Sequence, residues 1–203
     1  MGADGLMSVP KLDENPWPSP FSLGNRALRA MWGIVWLLLF RSSPRIFHAW
    51  RRWLLRLFGA RIGRRVHVYP SVRIWAPWNL EMGDHSCLGS YVDCYNVAPV
   101  HVGAFATVSQ YSYLCTATYD YNKREMPLIA RPIKIGDWAW VAADVYVGPG
   151  VTIDEGCVVG ARSSVHRSLP AWCVAVGNPA KPVKCRAMVA GEPGLPHKLT
   201  STP

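Results

Sequence analysis

Ile135 to Thr152 reads IGDWAW VAADVY VGPGVT, three successive groups of six residues. Each group opens on an aliphatic residue: Ile135, Val141 and Val147. The second place is small (Gly136, Ala142, Gly148), and the fifth is small or branched (Ala139, Val145, Val151). The next eighteen residues keep the frame, led by Ile153, Val159 and Val165. A period of six is neither the 3.6 of an amphipathic helix nor the 2 of an ordinary strand. It marks a solenoid in which each hexad is one short strand plus a corner and three hexads close a triangular coil. The aliphatic residue points into the prism and stacks on its equivalents in adjacent coils. The small residue stands where the backbone turns and a larger side chain would crowd it.

The same frame extends back to Ile62. The first coil leads with Ile62, Val68 and Ile74, the second with Met82, Leu88 and Cys94, the third with Val102, Val108 and Leu114. Two-residue insertions, Leu80-Glu81 and Val100-His101, separate them. Thirteen of the fifteen lead positions are Val, Ile or Leu, and seven of the fifteen second positions are Gly, which chance does not give. The expectation is an all-β solenoid of about five coils from Ile62 to Pro170. The frame breaks at length once, where the fifteen residues Asp120 to Lys134 intervene before Ile135 restores it. A loop of that size leaving a regular prism is expected to be functional. After Pro170, Gly177-Asn178-Pro179 reads as a turn, and Lys181, Lys184 and Arg186 put positive charge beside the last coil.

Ahead of the prism, residues 1–20 carry Pro10, Pro16, Pro18 and Pro20 and read as a loose arm. Ser22 is placed to cap a helix running to about Phe40, whose apolar end is too short to span a bilayer, which needs ~20 residues. Ser43-Pro44 and Gly59 bracket a second helix over Pro44 to Phe58. Arg45, Arg52 and Arg56 share one of its edges, and Ile46, Trp50, Trp53, Leu54 and Leu57 cover the other side. Two compatible readings follow: a hairpin that caps the open end of the prism with its arginines solvated, or a surface resting on anionic lipid. The domain plan is therefore an arm (1–20), amphipathic helices (21–60), the solenoid with its 120–134 loop (61–186) and a Pro/Gly-rich tail (187–203).

Composition agrees. The chain has 203 residues, 50% hydrophobic content, and 17 each of Gly and Pro, which suits many corners and few long helices. Its +9 charge is local: ten Arg and no acidic residue lie between Phe21 and Arg65, leaving the remainder near −1. Basicity confined to amphipathic helices, without a nucleic-acid motif, argues against nucleic acid as partner. The six cysteines show no CxxC or zinc spacing; Cys94, Cys115 and Cys157 read as small wall residues. With no cleavable signal, a reduced cytoplasmic setting is expected, with peripheral contact at the inner face of a membrane as the helices' second reading.

The run VGPGVTIDEGCVVGARSSVHRSLPAWCVAVGNPAKPVK resembles the C-terminal signature of the left-handed β-helix acyltransferases. HAWRRWLLRLFGARIG, YPSVRIWAPWNLEMGD, VSQYSYLCTATYDY and PLIARPIKIGDWAWVAAD extend the similarity to the acetyltransferases of colanic-acid and related exopolysaccharide biosynthesis, over about Phe21 to Arg186. The resemblance implies a left-handed prism and a homotrimer with active sites between neighbours. It implies acetyl-CoA lying along the groove between two subunits, a sugar or lipid-linked oligosaccharide acceptor, and no metal. Direct transfer is implied: an acceptor hydroxyl attacks the thioester, a histidine takes its proton, and backbone N–H groups hold the oxyanion. On the matching positions, Ala142, Ala143, Gly160 and Ala161 would flank the pantetheine, and Arg162, Lys181 and Lys184 are candidates for the phosphates. Trp140 matches a Trp near the family's active site.

One position departs. The family's third coil ends in a motif such as CTGSHD or TATH, whose His is the general base; here Cys115 to Tyr121 reads CTATYDY, with Tyr119 at the histidine's place and Asp120 retained. A phenol ionises near ~10 and an imidazole near ~6.5, so at pH 7 about one phenol in a thousand is ionised, a deficit of ~4 kcal/mol as a base. His101, eighteen residues before Tyr119, would stack near it at about one strand spacing if the two-residue insertion allows, or be an exposed corner residue. His67, His85 and His166 read as structural, and His48 and His197 lie remote from the motif. Two functions stay open: an O-acetyltransferase acting on a sugar of an exopolysaccharide precursor, or a trimeric acetyl-CoA-binding scaffold with impaired catalysis. A small-molecule acyltransferase fits the detailed match less well.

Overall fold

The computed structural model describes residues 21 to 187. The expected arm over 1–20 and the tail over 188–203, with His197, lie outside the described residues.

The hexads form a parallel, left-handed triangular prism with three sheets as faces. The first face stacks Arg61–Ile62, Leu80–Met82, Val100–Val102, Ile133–Ile135 and Thr152–Ile153. The second stacks His67–Val68, Cys87–Leu88, Thr107–Val108, Trp140–Val141, Val158–Val159 and Cys173–Gly177, and ends with Ala180–Cys185 running antiparallel. The third stacks Arg73–Ile74, Asp93–Tyr95, Tyr113–Cys115, Tyr146–Val147 and Ser164–Val165. Five coils are complete, and a sixth begins where Leu169 bridges to Ile153. Every lead residue from Ile62 to Val165 is buried, so the six-residue period is the period of the core. Each such aliphatic side chain contributes roughly 1.5–3 kcal/mol by leaving water.

The first-face glycines are required by close approach more than by the turn itself. A Cβ on Gly136 would stand 2.5 Å from the backbone nitrogen of Glu155 in the next coil, and one on Gly83 would stand 2.5 Å from that of Ala104.

The two helices close the N-terminal end. Helix α1 covers Leu23–Val35, capped by Ser22 Oγ, and passes into a π-helical turn over Trp36–Phe40. Helix α2 covers His48–Leu57, shorter than expected: Ser43 and Pro44 form the turn before it, where their oxygens receive the Arg51 guanidinium. In the interior of the prism each coil donates to the next. Gly63 N–H reaches Met82 O at 2.8 Å, His67 reaches Ser86 O at 2.9 Å, Tyr69 reaches Leu88 O at 3.2 Å, Arg73 reaches Val92 O at 2.9 Å and Trp75 reaches Cys94 O at 3.0 Å. The first coil has no predecessor, so its five equivalent carbonyls need other donors. Side chains of the cap supply them. Arg56 donates to Ile62 O (2.7 Å), Arg52 to Val66 O (3.0 Å), Arg51 to Val68 O (2.6 Å), Trp36 to Val72 O (2.7 Å) and Trp32 to Ile74 O (2.7 Å).

This corrects the lipid-facing reading of Arg52 and Arg56, while Arg45 stays exposed. Arg52 and Arg56 face the prism, and Arg45 lies over the Tyr69 ring. Unmade hydrogen bonds at a buried sheet end cost more than solvated guanidiniums gain. The cap leaves a group of apolar side chains in solvent, Leu37, Leu38, Leu39, Ile46, Phe47 and Trp53, beside the exposed Arg41 and Arg45. No helix among the described residues is long and apolar enough to cross a membrane.

Candidate active site

The expected loop is largely a hairpin. Ala117–Tyr119 pairs antiparallel with Leu128–Ala130, Tyr119 opposite Leu128, and the chain rejoins the prism at Ile133. This arm leaves from the edge between the third and first faces. Tyr119 is half exposed on it. Asp120 holds the turn beyond: its carboxylate accepts from Asn122 N–H at 3.2 Å and lies 3.7 Å from Lys123 Nζ.

His101 does not stack on Tyr119. The insertion Val100-His101 lengthens a first-face strand, and there His101 sits between Glu81 and Lys134. Its Nδ1 lies 3.1 Å from Glu81 Oε2. Eighteen residues is one coil only where the chain stays in the prism, and it leaves the prism before Tyr119, so the residue that follows His101 in its stack is Lys134. His67 stacks on His48 and His85 on Phe105, as structural residues do.

The residues matched to acetyl-CoA binding come together at another edge, between the second and third faces. Ala142 and Ala143 form the corner of the fourth coil, and Gly160, Ala161 and Arg162 that of the fifth. The coils are joined there by Ala142 N–H to Val159 O at 2.9 Å and by Arg162 N–H to Ala143 O at 3.0 Å. Arg162 is exposed, its Nε 3.5 Å from Asp144 Oδ2. Lys181 and Lys184 lie on the exposed outermost strand of the second face, opposite Val176 and Val174. Trp140 stands half exposed on that face, its indole donating to Ser109 Oγ at 2.9 Å. Within one chain Tyr119 and this strip therefore occupy opposite edges of the third face.

The third face between them carries groups not singled out by motif. Trp75, Tyr95 and His166 fill second places of the hexads, most of which are small, and Tyr113 and Tyr146 point outward beside them. His166 Nε2 lies 2.8 Å from Ser164 Oγ. Burial, then the neighbouring Tyr119 and Cys115, push the Tyr95 hydroxyl up. Burial and the Cys115 thiol do the same to Tyr113 and Tyr146. These three phenols thus stay protonated at neutral pH and act as hydrogen-bond donors. The departure of Trp75 and Tyr95 from the small-residue rule was the signal available in the sequence.

The prism, its arm and the small-residue strip define a hexapeptide-repeat acyltransferase. The chain belongs to the hexapeptide-repeat acetyltransferases, in the group of the colanic-acid biosynthesis enzymes: it is 46% identical over 169 residues to the putative colanic acid biosynthesis acetyltransferase WcaF of Escherichia coli, covering 83% of this chain and 93% of that one. A hexapeptide-repeat acetyltransferase from Vibrio cholerae, also solved with acetyl coenzyme A, superposes with a TM-score of 0.75 at 26% identity, over 82% of this chain and 95% of that one. A maltose O-acetyltransferase from Clostridium difficile gives 0.75 at 23% identity, over 82% and 90%. No family model matches the chain.

Proposed function

We propose that the protein is an O-acetyltransferase that moves the acetyl group of acetyl-CoA to a sugar hydroxyl of an exopolysaccharide precursor. The observation that carries this reading is the strip Ala142–Ala143/Gly160–Ala161, with Lys181 on the neighbouring strand, in a chain 46% identical to a colanic acid acetyltransferase. Small side chains leave backbone amides open to the pantetheine, and the cations suit the phosphates. The acceptor oxygen bonds to the thioester carbonyl carbon and loses its proton to a base. Backbone N–H groups steady the resulting oxyanion, whose collapse expels the CoA thiolate and leaves an acetyl ester. Because Tyr119 and the strip lie at opposite edges of one face, the site is completed by a second copy, in a homotrimer. Acetyl transfer to sugars by the intact protein, followed by ester formation and free thiol, tests the reading; failure of acetyl-CoA to bind would overturn it. Lys181→Gln with Lys184→Gln is expected to weaken CoA binding about tenfold and flatten its salt dependence by calorimetry. Unchanged affinity would remove both lysines from the site.

The alternative, an acetyl-CoA-binding scaffold, rests on Tyr119 alone. The exposed Leu37, Leu38, Leu39, Ile46, Phe47 and Trp53 support a peripheral seat on a membrane, where lipid-linked precursors would be met. With Arg51, Arg52 and Arg56 bonded to the first coil, that contact is mainly apolar in origin. Liposome sedimentation is expected to show binding that Leu38→Asp with Trp53→Asp reduces at least about fivefold, with weak salt dependence. Retention of the double variant on vesicles would rule this surface out.

A further inference from the structure

Between α1 and the third face runs a groove of about 400 Å³ whose lining includes Arg29, Arg73, Trp75, Asp93, Tyr95 and Tyr113. Its walls are aromatic, but its polar groups are charged and unspent. Arg29 is fixed from behind: its Cζ lies 4.1 Å from the Trp75 ring centroid and 4.9 Å from that of Phe21, and Nε donates to Asn25 Oδ1 at 3.0 Å. Its two terminal amino groups take no partner among the described residues. Arg73 is exposed and makes no ion pair there, although it is adjacent in register to Asp93. The half-buried Asp93 carboxylate receives no hydrogen bond from the described residues. Tyr95 and Tyr113 present hydroxyl donors, and Tyr95 pairs in register with Cys115, two residues before the arm begins at Ala117.

Aromatic rings offer faces to pyranose C–H groups, and a carboxylate with two phenols offers acceptors and donors to ring hydroxyls. Two guanidiniums serve neither purpose. They match the fork geometry of a phosphate or carboxylate; the one carboxylate lining the groove, Asp93, is in register with Arg73, so a neutral sugar would leave Arg29 without an anion among the described residues. We infer that this groove takes the acceptor and that the acceptor is an anionic sugar, bearing a phosphate ester or a carboxylate on the pyranose. The inference rests on the acetyl-transfer reading for the sugar's role. It adds that the sugar's charge is recognised by Arg29 and Arg73.

Calorimetry on the intact protein, with glucose and galactose, their 1-phosphates, their uronic acids and inorganic phosphate as probes, tests this. One anionic series is expected to bind at least about tenfold more tightly than the neutral sugars, and the tighter of the two identifies the anion. Arg29→Gln and Arg73→Gln are each expected to remove most of that preference while acetyl-CoA affinity stays unchanged. Trp75→Ala is expected to weaken neutral and anionic sugars alike. Arg73 is exposed, so its variant reports even where Arg29→Gln disturbs the cap. Equal affinity for neutral and anionic sugars, binding of neither series, or inorganic phosphate binding as tightly as the sugar phosphates would overturn the inference. Acetyl-CoA binding, measured in parallel, separates that failure from failure of the acetyltransferase reading.

Discussion

Ile153→Asp is expected to abolish soluble expression, whereas Thr152→Asp, one residue earlier, is expected to express and to melt within about 3 °C of the parent. Both substitutions place a carboxylate on the same two-residue strand of the first face. Side chains alternate across a strand, so Ile153 points into the prism, where it is fully buried, and Thr152 points out. An unpaired carboxylate inside the prism costs about 4–5 kcal/mol or more, a large part of the roughly 5–15 kcal/mol that holds a domain folded. At 152 the new carboxylate lies across from Lys134 on the adjacent strand, where an opposite-charge pair is mildly favourable. Thermal melts and soluble yield decide the matter. Equal behaviour of the two variants would mean that the six-residue frame does not set the inside of the prism.

The frame was legible because a solenoid repeats one local rule. Each coil meets the same neighbours, so the same aliphatic place recurs from Ile62 to Val165. Close packing of successive coils fixes glycine at 63, 83, 103 and 136. The cap was legible only as a pattern. A helical wheel separates Arg45, Arg52 and Arg56 from the apolar residues of α2, but it does not say which side meets protein. That choice is made by the five carbonyls of the first coil, whose need for donors appears only when the coils are stacked.

For the site, the small-residue strip could be read because its positions are in frame. The relation of His101 to Tyr119 could not, since the chain turns out of the prism before Tyr119 and Lys134 takes the place next to His101. The arm likewise begins inside the expected third coil, at Ala117, because Thr116 to Tyr119 turns out of the prism to pair with the returning strand. The charged groove was least visible. Arg29 and Trp75 are 46 positions apart, and only the packing of α1 on the third face brings them together.

Tyr119→His is expected to raise the rate of acetyl transfer by about 100-fold or more, with no change in acetyl-CoA affinity. The arm presents residue 119 half exposed, opposite Leu128, with a polar turn beyond it. A phenol there is able to orient an acceptor hydroxyl. An imidazole at the same place accepts the acceptor's proton at neutral pH, and general-base catalysis contributes roughly 10²–10⁴ in rate. His101→Ala is expected to leave transfer within about twofold of the parent, because His101 is held on the first face between Glu81 and Lys134, away from the arm. A contrary outcome is equally readable. If Tyr119→Phe abolishes a substantial native rate, and that rate climbs with pH toward ~9–10, the phenolate is the base and Tyr119→His gains little. If His101→Ala abolishes the rate instead, the base arrives from the first face of a neighbouring copy. A native chain that binds acetyl-CoA without transferring it, and gains transfer only with Tyr119→His, is the scaffold, a prism with its donor strip intact and its base lost.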